Sequence, residues 1–367
     1  MLQKAWVLVF VLAGIAGCIG CGKTANHYVY VTLPAANELG AYREDPNSGY
    51  LTQLSGSPYS VGDGAHYVVI HPSGKFLYVA NPGQNENDIS LFTILSGGFL
   101  SEVFPRTTVA PEGSLPEIMA MDPAGAFLYV ANAGSNNVSV FSINSSSGAL
   151  TQVAGSPFAI GLPPLNMQLA PSGKFLYVSV AGGAVATNNG SIIGFNVSGG
   201  TLQLATLTTT GGINPYGLAI NPAGTFLYAA NTASNSISIF SIASDGTLTQ
   251  TSGSPVSDTY NDPIALTLDP TGTYLYVANQ SSNNLAVYTI TASTGLPVGL
   301  TTSTTTFAFT TENSPSFVTP DPSGKYLFVG NQGSNAGLQS FGINSGNLNP
   351  ITTYNVGNTP SSVAVLK

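Results

Sequence analysis

One seven-residue phrase, Pro-x-Gly-x-aromatic-Leu-aromatic, recurs along this chain of 367 residues and constrains its fold more than any other feature. The six copies lie at 72–78, 123–129, 171–177, 222–228, 270–276 and 322–328. Their glycines are spaced by 51, 48, 51, 48 and 52 residues, so one structural unit repeats at an almost constant period. Periods of this length are typical of solenoids and propellers.

Each unit is predicted to contain four short strands. An inner strand carries large apolar residues at alternate positions, as at Met119 and Met121. The Pro-x-Gly turn follows, because proline suits the first central position of a β-turn and glycine a later one. A second strand of the Phe-Leu-Tyr-Val-Ala type comes next, then a third such as 139–143, and a fourth that follows Gly-x-Leu, as at 148–152.

The two ends of the repeat region supply complementary parts of a seventh unit. Residues 27–32 match a second strand that lacks an inner strand, and residues 359–365 match an inner strand with nothing after it. Pairing the two would close a ring and hide both edge strands. We therefore predict an all-β fold, a seven-bladed β-propeller of four-stranded antiparallel blades over 27–367. A solenoid is the alternative, although it would not need complementary ends.

The first 26 residues are predicted to lie outside the propeller. Lys4 precedes an uncharged apolar run at 5–17 that is too short to span a bilayer comfortably. The run ends in Ile-Ala-Gly before Cys18, which resembles a bacterial lipobox in which the cysteine becomes a diacylated N-terminus. We therefore expect a lipoprotein signal peptide at 1–17 and a linker at 18–26. Two acyl chains on the cysteine would suffice for stable membrane anchoring.

Two alternatives to this leader remain open. An ordinary signal peptide would make Cys18 incidental, and Cys21 is a second possible anchor with a poorer sequence match. Ile19 stands where an aspartate would favour retention in the inner membrane, so we expect the outer membrane or the cell surface, on the extracytoplasmic side. Cys18 and Cys21 are the only cysteines, so the propeller is predicted to contain no disulfide.

Composition excludes several classes of function. Charged residues make up 7% of the chain, against roughly 25% in typical soluble domains, which argues against coiled coils and helix bundles. The 8 Lys and Arg residues against 16 Asp and Glu give a net charge of -8, which disfavours nucleic acid as a partner. No His-x-x-x-His or EF-hand spacing occurs, so we predict no metal site and no cofactor. A calcium ion bound near residues 85–88 is the alternative to a protein without metal. We also expect the protein to be a monomer.

The recurring Tyr-Val-Ala-Asn resembles the YVTN-repeat propellers and the wider lactonase family, which includes 6-phosphogluconolactonase-type and carboxymuconate-cyclase-like propellers. The resemblance covers essentially the whole mature chain and implies lactone hydrolysis on a seven-bladed propeller. Those enzymes often carry Pro-Arg-His at the start of an inner strand, but no blade here does, and Arg43 and Arg106 are the only arginines. Because an anionic sugar lactone needs cationic partners, we expect any lactone substrate to be non-phosphorylated.

The candidate site is the propeller face on which the inner strands begin, called the top face below. His66 and Glu117 occupy the same position on adjacent blades and could form a general acid–base pair, the alternative being a surface histidine and a solvated carboxylate. Aromatic side chains that could bind a neutral sugar, or simply pack, are Tyr67, Tyr216, Tyr260 and Phe317.

Other polar residues have structural interpretations. The predicted top loops carry eight acidic residues, opposed by Arg106: Asp63, Glu86, Asp88, Glu112, Glu117, Asp258, Asp262 and Glu312. His71 is expected to cap a turn on the opposite face, and His27, before the first strand, is expected to be exposed. An asparagine ends the second strand in five blades, which we attribute to turn geometry because asparagine tolerates left-handed conformations.

Two functions are compatible with these observations. The first is a lipid-anchored propeller whose top face binds a neutral small molecule, a glycan or a protein partner, favoured by the scarcity of catalytic side chains. The alternative is a lactonase-type hydrolase acting on a non-phosphorylated lactone, with His66 and Glu117 as base and acid.

Overall fold

Seven antiparallel sheets form the protein in the computed structural model, which confirms the predicted all-β, seven-bladed propeller. The structure describes residues 27–83, 86–109, 113–180, 182, 190–299, 308–333 and 337–366. The predicted leader and linker, the Cys18 anchor, Glu112 and most of the loop 181–190 lie outside the described residues. Within these described ranges, no helix has the length and apolar character needed to cross a membrane.

The blades are numbered here in chain order, with strands given from the channel outwards. Blade 1 consists of Ser362–Leu366, His27–Leu33, Glu38–Glu44 and Leu51–Gln53, with Tyr59–Ser60 beside the third strand. Blade 2 consists of Tyr67–Ile70, Phe76–Asn81, Asp88–Ile94 and Leu100–Thr108. Blade 3 consists of Pro116–Met121, Phe127–Asn132, Asn137–Ile143 and Leu150–Gln152, with Phe158–Ala159. Blade 4 consists of Pro164–Leu169, Phe175–Val180, Ser191–Ser198 and Thr201–Thr209.

The remaining blades follow the same order. Blade 5 consists of Pro215–Ile220, Phe226–Asn231, Ser236–Ile242 and Leu248–Gln250, with Val256–Ser257. Blade 6 consists of Pro263–Leu268, Tyr274–Asn279, Asn284–Ile290 and Pro297–Gly299, with Ala308–Thr310. Blade 7 consists of Pro315–Pro320, Tyr326–Asn331, Gly337–Asn344 and Asn347–Tyr354. Short 3-10 turns occur at Pro34–Ala36, Ser96–Gly98 and Thr232–Ser234.

Ring closure takes place in blade 1, as predicted from the complementary ends. The strand His27–Leu33 pairs antiparallel with Ser362–Leu366, and Val29 lies opposite Val365. A strand from each end of the propeller therefore completes one sheet, and neither remains an open edge that could pair with another chain.

The hydrophobic core lies between the blades rather than inside one of them. The third residue after the proline, or after its substitute Ala65, is buried in every inner strand: Val68, Met119, Met167, Leu218, Leu266, Val318 and Val363. These side chains pack against the preceding blade, as where Met167 of blade 4 shares a cluster with Val138 of blade 3. Since each fully buried side chain of this size contributes about 1.5–3 kcal/mol, these layers hold the blades together.

The tyrosine that ends the repeated phrase also links neighbouring blades. Its hydroxyl donates a 2.8 Å hydrogen bond to a glycine carbonyl of the next blade in three cases: Tyr30 to Gly98, Tyr78 to Gly148 and Tyr177 to Gly246. The equivalent Tyr129, Tyr228 and Tyr276 are equally buried, but their hydroxyls find no hydrogen-bond partner among the described residues. The same motif residue therefore contributes a hydrogen bond in some blades and only packing in others.

The Pro-x-Gly turns lie at the lower ends of the inner strands, and their glycines have φ between +68° and +72°. His71 begins one of these turns and is buried, as expected for a structural residue. Its Nδ1 accepts a 2.7 Å hydrogen bond from the Ser73 hydroxyl, and its Nε2 donates to the Gly125 carbonyl at 2.9 Å. His71 thus connects the turns of blades 2 and 3.

The asparagines that end the second strands are structural, but not for the predicted reason. Asn81, Asn132, Asn231, Asn279 and Asn331 are fully buried, and none has a positive φ. Most of these side-chain amides donate hydrogen bonds to the third strand, as Asn132 does to Asn137 and Ser139 at 2.8 Å. The left-handed residues come later, in the turns to the third strands: Asn37, Asn136, Asn235 and Asn283.

Candidate functional site

A cavity of about 430 Å³ lies at the top face, where the seven inner strands begin around the central channel. Each inner strand contributes its first residues after the proline or its substitute. The equivalent first positions that line the cavity are His66, Glu117, Leu165, Tyr216, Ile264, Ser316 and Ser361. The site is therefore assembled from all seven blades, and its shape depends on the closed ring.

His66 lines the cavity with an imidazole ring that a hydrogen bond orients. Its Nδ1 lies 3.0 Å from the backbone carbonyl oxygen of Glu117. A carbonyl can only accept a hydrogen bond, so Nδ1 is the nitrogen that carries a proton here. The backbone of His66 is fixed as well, because its own carbonyl accepts a 2.7 Å hydrogen bond from the Ser361 hydroxyl. The contact of Nδ1 thus selects the tautomer of the neutral ring in which Nε2 is the basic nitrogen.

Glu117 lies beside His66 in the cavity wall, so the structure brings the two predicted partners together. The hydrogen bond that joins them uses the backbone of Glu117, which leaves the carboxylate available to the cavity. Burial, together with the negative charge of Glu117, raises the pKa of Tyr216. The Tyr216 hydroxyl therefore stays protonated and can donate a hydrogen bond to a ligand.

Three of the four predicted aromatic side chains line the cavity: Tyr67, Tyr216 and Phe317. Tyr260 does not line it, and packs instead against the hydrophobic cluster between blades 5 and 6. Phe317 lies opposite Gly330 in the sheet, and a Cβ on Gly330 would come within 2.0 Å of its Cε1. The equivalent position is alanine or serine in blades 2 to 6, so the glycine makes room for this aromatic ring.

Uncharged hydrogen-bonding groups supply most of the remaining polarity of the cavity, and four of them are amides: Asn166, Gln168, Gln280 and Gln332. These four residues were not predicted from the sequence. Aligning the seven inner strands would have shown Asn166 and Gln168 on a channel-facing row, whereas Gln280 and Gln332 emerge from turns whose direction the repeat does not specify. Among the described lining residues there is no lysine and no arginine.

Some of the acidic residues predicted in the top loops are paired or buried and do not present a free charge to solvent. Arg106 donates to the carboxylates of Glu86 at 3.0 Å and Glu102 at 2.8 Å. Asp258 is buried and accepts a 2.8 Å hydrogen bond from the Tyr288 hydroxyl, and burial raises the pKa of Asp258.

The segment considered for calcium already has hydrogen-bond donors around its oxygens. The Asn87 side chain accepts the Leu115 N–H at 2.7 Å, and Asp88 accepts from the Asn81 amide, also at 2.7 Å. Asn85 lies outside the described residues.

Comparison with known proteins relates the chain to one family. The sequence model described as Lactonase, 7-bladed beta-propeller, matches residues 23–163, 166–260, 224–305 and 265–365. A 6-phosphogluconolactonase from Formosa agariphila is 38% identical over 99 residues, which is 27% of either protein. A 6-phosphogluconolactonase from Enterobacter sp. (strain 638) is 25% identical over 185 residues, 49% of this chain and 54% of that protein. The chain therefore spans about half or less of these curated relatives.

Solved structures share the whole propeller. A putative 6-phosphogluconolactonase from Bacteroides fragilis superposes with a TM-score of 0.77 at 19% identity and covers 95% of this chain and 100% of that one. The periplasmic gluconolactonase of Pseudomonas aeruginosa superposes with a TM-score of 0.77 at 18% identity, covering 94% and 99%. At these identities the likeness concerns the fold.

Proposed function

Because the chain belongs to the seven-bladed β-propeller lactonase family, we propose that it hydrolyses a non-phosphorylated sugar lactone in the top-face cavity. Curated relatives carry the name 6-phosphogluconolactonase, and a structural neighbour is described as a periplasmic gluconolactonase. These relationships favour the hydrolase over the pure binding role, which the scarcity of catalytic side chains in the sequence had favoured.

The observation that carries the proposal is the contact of His66 Nδ1 with the Glu117 carbonyl, which leaves Nε2 as the basic nitrogen of the neutral ring in this cavity-lining residue. In the proposed reaction, Nε2 removes a proton from a water molecule as the water oxygen attacks the lactone carbonyl carbon. The ring C–O bond then breaks, and the imidazolium returns its proton to the departing alkoxide. The product is the open-chain hydroxy acid, and the Glu117 carboxylate would stabilise the imidazolium between the two steps.

The lining of the cavity supports an uncharged substrate. Amide and hydroxyl groups can exchange hydrogen bonds with sugar hydroxyls, and the rings of Tyr216 and Phe317 offer apolar faces. Phosphate recognition uses lysine, arginine or clustered backbone N–H groups, and the described lining contains neither cationic side chain. A phosphorylated lactone would also meet the Glu117 carboxylate.

Steady-state hydrolysis of glucono-1,5-lactone and of its 6-phosphate, measured against the spontaneous rate, tests this proposal. We expect turnover of the uncharged lactone, a lower kcat/KM for the phosphorylated one, and a loss of about 10²-fold or more in His66→Ala. Tyr260→Phe, a control substitution at a residue that does not line the cavity, should have the activity of the wild type. No turnover above the spontaneous rate, or full activity of His66→Ala, would refute the proposed site.

We also propose that the propeller is a monomer held at an extracytoplasmic membrane surface by a lipid on Cys18. Support comes from the lipobox-like segment ending at Cys18. Metabolic labelling with a fatty-acid analogue should mark the wild type and not Cys18→Ser, and only the wild type should sediment with membranes. Labelling that persists in Cys18→Ser and disappears in Cys21→Ser would move the anchor to Cys21.

A further inference from the structure

Three ionisable side chains meet on the lower face, opposite the cavity, where blade 1 contacts blade 7. His27 and Glu44 lie directly opposite each other on neighbouring strands of blade 1. Asp321 joins them from the Pro-x-Gly turn of blade 7. Their relative exposures are 8%, 0% and 0%. The expectation that His27 is exposed was therefore wrong, because the blade 7 turn covers it.

We propose that His27, Glu44 and Asp321 bind a divalent transition-metal ion of the Zn²⁺ class at this junction. His27 Nδ1 lies 3.3 Å from Glu44 Oε2 and 3.5 Å from Asp321 Oδ2. One ligand atom from each residue lies within 4.8 Å of the other two. Zinc–ligand bonds of about 2.1 Å in a tetrahedron separate neighbouring ligand atoms by about 3.4 Å, so both measured distances fit a shared metal.

Glu44 departs from the repeat at a buried position, which is the first independent support. Its cross-strand partner on the fourth strand is Leu51. The residues with the same pairing in the other blades are all aliphatic: Ile94, Ile143, Val197, Ile242, Ile290 and Ile343. A carboxylate in such a place is costly to bury unless a cation or hydrogen bonds compensate it.

The hydrogen-bonding state of the cluster is the second support. Among the described residues, neither oxygen of Glu44 accepts a hydrogen bond, and His27 Nδ1 has no hydrogen-bond partner. The cluster combines two buried carboxyl groups with one imidazole, and a divalent cation would compensate the charge of the Glu44 carboxylate, for which the described part of the chain supplies no hydrogen bond.

Asp321 is positioned for such a role by its own turn. Its Oδ1 accepts the backbone N–H groups of Lys325 and Tyr326, both at 2.8 Å. Its Oδ2 accepts the backbone N–H of Ser323 at 2.9 Å and the Ser323 hydroxyl, and lies 3.5 Å from His27 Nδ1. An imidazole nitrogen with two carboxylates suits zinc and related ions better than calcium or magnesium, which prefer oxygen ligands only. A bound ion would connect the first strand of the propeller to its last complete blade.

Thermal unfolding of the full chain with ZnCl₂ or with EDTA tests the site. At about a hundredfold excess of zinc over its Kd, the wild type should gain about 5 °C in Tm. Glu44→Ile, which installs the residue most common in the other blades, should lose this gain and match or exceed the wild-type Tm in EDTA. Asp245→Asn removes an exposed carboxylate in blade 5 and should keep the gain.

Titration calorimetry with ZnCl₂ provides the second measurement. The wild type and Asp245→Asn should bind one zinc ion, and Glu44→Ile and Glu44→Gln should lose that site. Equal zinc shifts in the wild type and Glu44→Ile would overturn the proposal, as would a wild type that neither binds zinc nor gains stability from it. Both measurements are independent of lactone hydrolysis.

Discussion

Replacing the tyrosine of the repeated phrase with phenylalanine should destabilise the propeller in some blades and not in others. Tyr78 and Tyr228 occupy equivalent places and are both fully buried. The Tyr78 hydroxyl donates a 2.8 Å hydrogen bond to the Gly148 carbonyl, whereas the Tyr228 hydroxyl has no partner among the described residues. Tyr78→Phe and Tyr228→Phe therefore make the same chemical change with and without loss of a hydrogen bond.

The expected magnitudes follow from this difference. Tyr78→Phe removes a buried hydrogen bond and leaves the Gly148 carbonyl without this donor, which costs about 1–3 kcal/mol. Tyr228→Phe removes a hydroxyl that is buried without compensation, so its free energy of unfolding should be unchanged or rise by about 1 kcal/mol. The two variants should differ by about 2 kcal/mol.

Urea unfolding followed by intrinsic fluorescence measures this difference. We expect the midpoint of Tyr78→Phe to fall and that of Tyr228→Phe to stay or rise, with the same m-value in both, because neither change alters the surface exposed on unfolding. Equal destabilisation of the two variants would show that ring packing, and not the interblade hydrogen bond, determines the contribution of this tyrosine.

Three further predictions concern a cavity wall, a lower turn and a buried acid. Gly330→Ala should displace Phe317, because the new Cβ would lie 2.0 Å from its ring, and should raise KM for the lactone about tenfold without a matching fall in kcat. Gly125→Ala should cost about 2–4 kcal/mol in urea unfolding, since φ is +70° and the Cβ would lie 2.3 Å from His71 Nε2. Burial raises the pKa of Asp258 in the folded protein above the value of about 3.9 that it has in the unfolded chain. The contribution of Asp258 to stability is therefore fully present below about pH 3.9 and is lost as pH rises through the folded-state pKa. We expect the free energy of unfolding of wild type to fall relative to that of Asp258→Asn as pH rises from about 4.

Each of these predictions has a specific control. Phe317→Ala should reproduce the KM of Gly330→Ala, and a wild-type KM in both would remove Phe317 from the site. Gly224→Ala has the same positive φ but no contact closer than 3.6 Å, so it should cost less than Gly125→Ala. A stability difference between wild type and Asp258→Asn that does not change with pH would contradict the assigned ionisation of Asp258.

The architecture could be predicted from the sequence because its determinants are local and repeated. The Pro-x-Gly turns and the alternating inner strands are determined by nearest neighbours, and six copies average out the irregularities of any one blade. Ring closure followed from the same pattern, since 27–32 and 359–365 each contain one recognisable strand of a unit. His66 and Glu117 both line the cavity, as the sequence predicted, because the repeat places them at the same position of adjacent inner strands.

The predictions that were wrong depend on contacts between distant parts of the chain or on the direction of a loop. His27 is buried because Asp321, almost the whole chain away, covers it from another blade. For Tyr260, ligand binding and packing were both left open by the sequence, and its ring packs against the cluster between blades 5 and 6. The asparagines lie at the predicted boundary, but burial and side-chain hydrogen bonds, not left-handed backbone, explain them.

The pairing of His27–Leu33 with Ser362–Leu366 also determines the order in which the protein can be completed during synthesis. Blades 2 to 7 have all their strands contiguous in the chain, so each can form as soon as it leaves the ribosome. Blade 1 must wait for the final strand, and until then Val29 and its neighbours present an unpaired edge. A nascent chain that stops short of Ser362 therefore exposes an edge strand that can pair with another chain, and completion of the last strand removes it.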